Sequence, residues 1–207
     1  MSDALRRAYN AVDILFDARA IRQELHFSHE LEEVRHPRSA YQAFRSIRPF
    51  VNKLDRRARL KMIVSQSGVD ADGASAHWEF FFDLVQRRAH LICDWALSWD
   101  ETKDTFGPAI VEITVRPFPS VDSPIRQLVA SGKLLHRQMV GLWRQEYERS
   151  PALPKRFRDT DVLLADLKQQ GLNVSQTEFS VRTGLSPEGR ICWIAQTRKD
   201  IYYSAFR

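Results

Sequence analysis

His77-Trp78-Glu79-Phe80-Phe81-Phe82-Asp83-Leu84, followed after a short break by Ala89-His90-Leu91-Ile92-Cys93-Asp94-Trp95-Ala96-Leu97, is the stretch that decides the fold. Trp78, Phe80, Phe82 and Leu84 share one parity, and so do Ala89, Leu91, Cys93, Trp95 and Leu97. A period of two sends successive side chains to opposite faces of a pleated strand, so the pattern is an antiparallel hairpin with one large apolar face. That face is the nucleus of a core. The polar residues in between must share the other face.

Working outward, strands are expected over about 60–66, 76–85, 88–98 and 108–117, with a turn at Ser67–Ser75 and a stop at Pro117 and Pro119. Upstream the chain reads helical. Leu5, Tyr9, Val12, Phe16, Ile21 and Leu25 form a stripe, a second helix is expected from Ser28 to His36, and a third from Ser39. In the third, Tyr41, Phe44, Ile47, Val51 and Leu54 face inward, and Pro49 is expected to kink or divide it. Downstream, Ser123-Pro124 opens a helical stretch carrying Ile125, Leu128, Leu135, Met139, Leu142 and Trp143. A shorter helix near Thr160–Gln170 ends at Gly171. Phe179 and Val181, then Ile191, Trp193 and Ala195, alternate around a Ser186–Gly189 turn, and Ile201–Phe206 adds a last strand.

The expected class is α+β, with a mostly antiparallel sheet of about six to seven strands, N-terminal helices and a helical insert between two strand groups. No linker divides the chain, so residues 1–207 read as a single domain. Its parts are a helical 1–57, a β-meander over 58–118, a helical 119–171 and a C-terminal hairpin over 172–207. Whether that hairpin extends the first sheet or packs across it stays open in the sequence.

With 207 residues and 43% apolar content, the chain can bury a core without disulfides or metals. No apolar run approaches the roughly 18 residues that span a bilayer, so membrane insertion is not expected. The N-terminus does not read as a secretory signal, being broken by Asp13, Asp17 and Arg19. Two distant cysteines, Cys93 and Cys192, fit a reducing compartment, and a cytoplasmic protein is expected. No cofactor motif is present.

Net charge is +5, but it is concentrated. Arg45, Arg48, Lys53, Arg56, Arg57, Arg59 and Lys61 are opposed only by Asp55, which makes that stretch +6 (seven minus one). A second knot, Lys155, Arg156 and Arg158, follows the Pro151/Pro154 loop. Such clusters hold phosphates or acidic proteins, or are simply solvated.

The far face of the hairpin carries the other polar set. If the 85–88 turn has even length, Asp83 lies opposite His90 and Glu79 opposite Asp94, with His77, Glu112 and Arg116 on the same face. Asp83 and His90 then form an acid–base pair. Opposed Glu79 and Asp94 repel unless a cation sits between them or one keeps its proton.

Other motifs are weaker. His26, His29, Glu30 and His36 lack metal-motif spacing, and Asp70-Ala71-Asp72-Gly73 lacks the glycine and glutamate positions of a calcium loop. Ser175–Ser180 with Gly184-Leu185-Ser186 approximates a helix-turn-helix. Pro187 and Gly189 would fall in its recognition helix, so a strand hairpin fits better.

The expected function is a non-enzymatic, cytoplasmic macromolecule-binding protein (adaptor, chaperone or complex subunit) whose partner is another protein held by the basic segments. The alternatives are nucleic-acid binding through Arg45–Lys61, and an enzyme using Asp83 and His90 with a divalent ion at Glu79 and Asp94.

Overall fold

A computed structural model describes residues 25–86, 89–117, 151–154 and 156–206. In chain order the elements are β1 (Leu25–Leu31), β2 (Arg38–Ser39), α1 (Ala40–Leu54), β3 (Arg59–Ser65), β4 (Ala74–Ser75), β5 (His77–Leu84), β6 (Ala89–Asp100) and β7 (Thr105–Pro117). They continue with α2 (Thr160–Gln169), β8 (Ser180–Leu185), β9 (Ile191–Gln196) and β10 (Ile201–Ala205). Eight strands form one sheet in the order β1-β7-β6-β5-β3-β8-β9-β10, and β2 pairs with β4 as a small annex. Every pairing is antiparallel.

The β5–β6 hairpin lies at the centre of the larger half. Trp78 pairs with Trp95, Phe80 with Cys93, Phe82 with Leu91 and Leu84 with Ala89, and all of these side chains are buried. α1 covers this face with Ala40, Ala43, Phe44, Ile47, Phe50, Val51 and Leu54. α2 adds Leu163, Leu164 and Leu167. Phe44 ties the layers together, its ring 6.0 Å from Phe80, 6.3 Å from Phe82 and 5.4 Å from Phe157.

Three expectations change. Leu25–Leu31 is strand β1, not helix, because Leu25, Phe27, His29 and Leu31 turn inward at period two while pairing with β7. The 1–57 part is therefore not wholly helical. The sheet holds eight strands rather than six or seven, and the C-terminal strands extend it. α1 runs unbroken through Pro49, whose ring lies on the exposed side, where water can hydrate the carbonyl it leaves free. The helices expected before residue 25 and over 123–143 lie outside the described residues. The 175–196 segment is a hairpin, with Gly189 at φ +75° in its turn, so the helix-turn-helix spacing is coincidental.

Where β3 meets β8 the ladder nearly fails. Only Val64 and Arg182 pair as strand residues. On either side, hydroxyls replace carbonyls: Ile63 N donates to Thr183 Oγ1 (2.9 Å) and Val181 N to Ser65 Oγ (2.9 Å), both hydroxyl residues being buried. A Thr183→Val variant keeps the shape but strands the Ile63 N–H, at a cost of about 1–3 kcal/mol. Urea unfolding is expected to show that loss for Thr183→Val and a smaller one for Thr183→Ser. Equal stability of wild type and Thr183→Val would contradict the seam's dependence on the hydroxyl.

Candidate functional site

The basic flank forms on the helix-covered side of the sheet. Arg45 and Arg48, three residues apart, point to solvent from α1, while Arg56, Arg57 and Arg59 follow its C-terminal end. The second knot comes alongside: Leu153 N donates to Leu60 O (2.7 Å), and Phe157 packs edge-on against Tyr41 (5.5 Å) and Phe44 (5.4 Å). This brings exposed Arg156 to the flank.

The acidic residues nearby are turned inward. Asp55, 1% exposed, accepts Arg57 N (2.7 Å) and Gln86 N (2.8 Å). Asp159 accepts Ser39 Oγ (2.6 Å), Tyr41 N (2.9 Å) and Thr160 N (2.8 Å). Arg45, Arg48, Arg56, Arg57, Arg59 and Arg156 accordingly make no ion pair with a described residue.

Not every predicted basic residue joins this flank: Arg59 is exposed at the same end, but it pairs in register with Asp83 and so turns to the opposite sheet face. Lys53 is half-buried. Lys61 is the extra residue of a bulge between Leu60 and Met62, and its ammonium lies 4.0 Å from Asp83 on the opposite sheet face. Arg158 is tethered, its guanidinium donating to Ala205 O (3.3 Å) and lying 4.0 Å from Asp166. Lys155 lies outside the described residues.

The opposite face of the sheet shows the register expected from an even turn: Glu79 opposes Asp94 and Asp83 opposes His90. Asp94 in turn opposes Glu112, so three carboxylates cross β5, β6 and β7 in one row. His77 Nε2 lies 3.4 Å from Asp94 Oδ1, and the Gln66 amide donates to Glu79. The ligand atoms of His77, Glu79 and Asp94 all lie within 4.8 Å of one another. Nearer the turn, His90 Nδ1 is 3.2 Å from Asp83 Oδ1, with Arg116 opposite His90. His77 and Glu112 share the face as their parity predicts, whereas the help of Gln66 is an addition that nothing local signalled.

Hydrogen bonding and burial in the row favour the proton-bound forms of His77 and Glu79. The Asp94 hydrogen bond, outweighing burial, holds the His77 imidazole above its ordinary value of 6.5. Burial pushes the Glu79 carboxyl above its ordinary 4.5, against the Gln66 amide, which favours the anion. An imidazole that gains a partner on folding stabilises fully below its unfolded pKa, and that support disappears as pH rises through the higher folded pKa. For Glu79, ionisation in the folded state is the costlier one, so stability falls as pH climbs from 4.5 to its raised value.

The discounted motifs have structural duties. His26 bonds Thr114 on one sheet face (3.0 Å), whereas His29 packs on Phe50 on the other (ring centroids 5.3 Å), so the two imidazoles cannot share a ligand. Asp70 Oδ1 accepts Asp72 N and Ala74 N at 2.9 Å, an Asx turn completed by Gly73 at φ +80°. Burial pushes the Cys93 thiol well up and the Cys192 thiol up to about 11, which leaves neither as a nucleophile at neutral pH.

No protein-family model matches the chain, and no curated protein matches it.

NMR titration is expected to place the His77 midpoint above 6.5 in the wild type and return it towards 6.5 in Asp94→Asn. An unmoved midpoint would break the link between the pair and the shift.

Proposed function

We propose that this chain is a non-enzymatic binding protein, an adaptor, chaperone or complex subunit, whose basic flank takes an acidic surface of another protein. The observation that carries this reading is the convergence of Arg45, Arg48, Arg56, Arg57 and Arg156 on one flank, beside which Asp55 and Asp159 turn their carboxylates inward. Guanidiniums suit such a surface because each presents a rigid fork of donors to carboxylates. An acidic protein is favoured over single-stranded nucleic acid because, among the described residues, the flank presents no free aromatic platform: Phe44 and Phe157 are buried, and Tyr41 packs on both. Two buried free cysteines fit a cytoplasmic setting, and among the described residues no helix is long and apolar enough to cross a membrane.

Poly-glutamate at low salt is a direct probe. Reversing Arg56 and Arg57 to Glu removes two attractions and adds two repulsions. Since exposed pairs contribute about 0.2–1 kcal/mol each, roughly tenfold weaker binding is expected without loss of thermal stability. Binding that ignores the reversal would remove the flank from the site. Tighter binding to RNA or DNA, with a steep salt slope, would favour the nucleic-acid alternative.

A second reading has its own observation, the grouping of His77, Glu79 and Asp94. A mixed imidazole and carboxylate set suits Zn²⁺ or Mn²⁺. Zinc bonds of about 2.1 Å would require the donor atoms to draw in from their present 4.8 Å span. In this reading Asp83 and His90 are the neighbouring acid–base pair. Chelator-treated wild type should melt higher after Zn²⁺ or Mn²⁺ is added, and Asp94→Asn should not. No shift in the wild type would end the metal reading.

A further inference from the structure

The β6–β7 hairpin outruns its neighbours. Leu97 N still reaches Ala76 O (2.9 Å) and Ala109 N still reaches Val34 O (2.7 Å), but past these ties no other described strand flanks residues 98–108. A register shift on the β7 side, where Gly107 sits so close that a Cβ there would lie 2.3 Å from Ser98 Oγ, bends this arm. At its end Trp99 is 52% exposed, held edge-on against Phe106 with ring centroids 5.0 Å apart. The turn is acidic. Asp100 is occupied with Thr102 and with Lys103 (2.9 Å), whereas Glu101 and Asp104 point outward without an ion pair to a described residue.

The arm and the basic flank lie at opposite ends of the molecule. Asp55, bonded to Gln86 N, fixes the C-terminal end of α1 beside the β5–β6 turn, and the 12 residues of β6 lead from there to the arm. At about 3.3 Å per residue they span roughly 40 Å. The arm of one molecule is therefore out of reach of that molecule's own Arg56, Arg57 and Arg59. A second copy presents them.

We propose that copies of this chain associate head to tail, the acidic Trp99 arm of one docking on the Arg56/Arg57/Arg59 end of the next. This rests on the flank's reading as a site for acidic protein surfaces and names one such surface. The complementarity is chemical as well as electrostatic: an exposed indole offers its face to a guanidinium while Glu101 and Asp104 meet its neighbours. The contact joins two different patches, so it propagates into chains or closes into a ring instead of stopping at a two-fold dimer. Because both patches are exposed, salt screens the contact.

Sedimentation of the full chain over a wide concentration series, at low and high salt, tests this. The expected result is a mass that rises with concentration at low salt and returns to monomer at high salt. Trp99→Ala, the arm reversal E101R/D104R and the flank reversal R56E/R57E should each remain monomeric with unchanged circular dichroism. Mixing the two reversals should restore association, since each then meets a complementary patch. A wild type that is monomeric throughout, or an association that survives Trp99→Ala and E101R/D104R, overturns the proposal. If that monomer binds poly-glutamate through Arg56 and Arg57, the flank's role stands and only the self-association fails; if it does not, both fail.

Discussion

The Asp159 carboxylate joins two helices that are distant in sequence. It is the N-cap of α2, accepting Thr160 N, and it also accepts Tyr41 N and the hydroxyl of Ser39, the N-cap of α1. Thr160 completes the exchange, its Oγ1 accepting Ala40 N (3.4 Å) and donating to Gly73 O (2.6 Å). Helix N-termini carry unsatisfied N–H groups and partial positive charge, so two of them meeting end to end would repel without an anion between them. Two indoles hold the residues just before these caps: Trp78 Nε1 donates to Arg38 O (2.8 Å) and Trp193 Nε1 to Arg158 O (2.7 Å). One tryptophan comes from each half of the sheet, so the helix layer bridges the weak β3–β8 seam that the strands themselves barely close. Trp78 and Trp193 also approach each other across it, at 6.5 Å.

That arrangement sets the charge distribution. Asp55, Asp70 and Asp159 serve backbone and hydroxyl groups of turns and caps, so they are oriented by the fold and withdrawn from the surface guanidiniums. The clasp at Asp159 also fixes the segment before it, bringing Arg156 to α1. On the opposite sheet face the logic is reversed: charges lie close together and are met by His77, by Gln66 and by Lys61. The first pattern leaves charge available to a partner, and the second satisfies it internally.

Much of this was legible in the sequence because it is local. Parity alone placed Glu79 against Asp94 and Asp83 against His90 once the turn was even, and the spacing of Phe44, Ile47, Val51 and Leu54 marked the buried side of α1. Leu25–Leu31 reads ambiguously because a polar residue, His29, falls on the inward parity of Leu25, Phe27 and Leu31, and only β7 supplies the ladder that makes it a strand. Lys61 leaves the basic set because it alternates with the inward Leu60 and so turns to the Asp83 face, and the bulge beside it, which has no composition signal, carries Met62 to that face as well. The approach of Arg156 to α1 and the sharing of Asp159 join groups about 120 positions apart, and a local pattern cannot encode such pairings.

The central claim is that one carboxylate couples both helices to the seam. Native-state hydrogen exchange on Asp159→Ala tests it most directly. The account predicts that protection falls together at Tyr41, at Thr160 and at the seam amides of Ile63 and Val181. Loss confined to Thr160, with Tyr41 and the seam as protected as in the wild type, would contradict it.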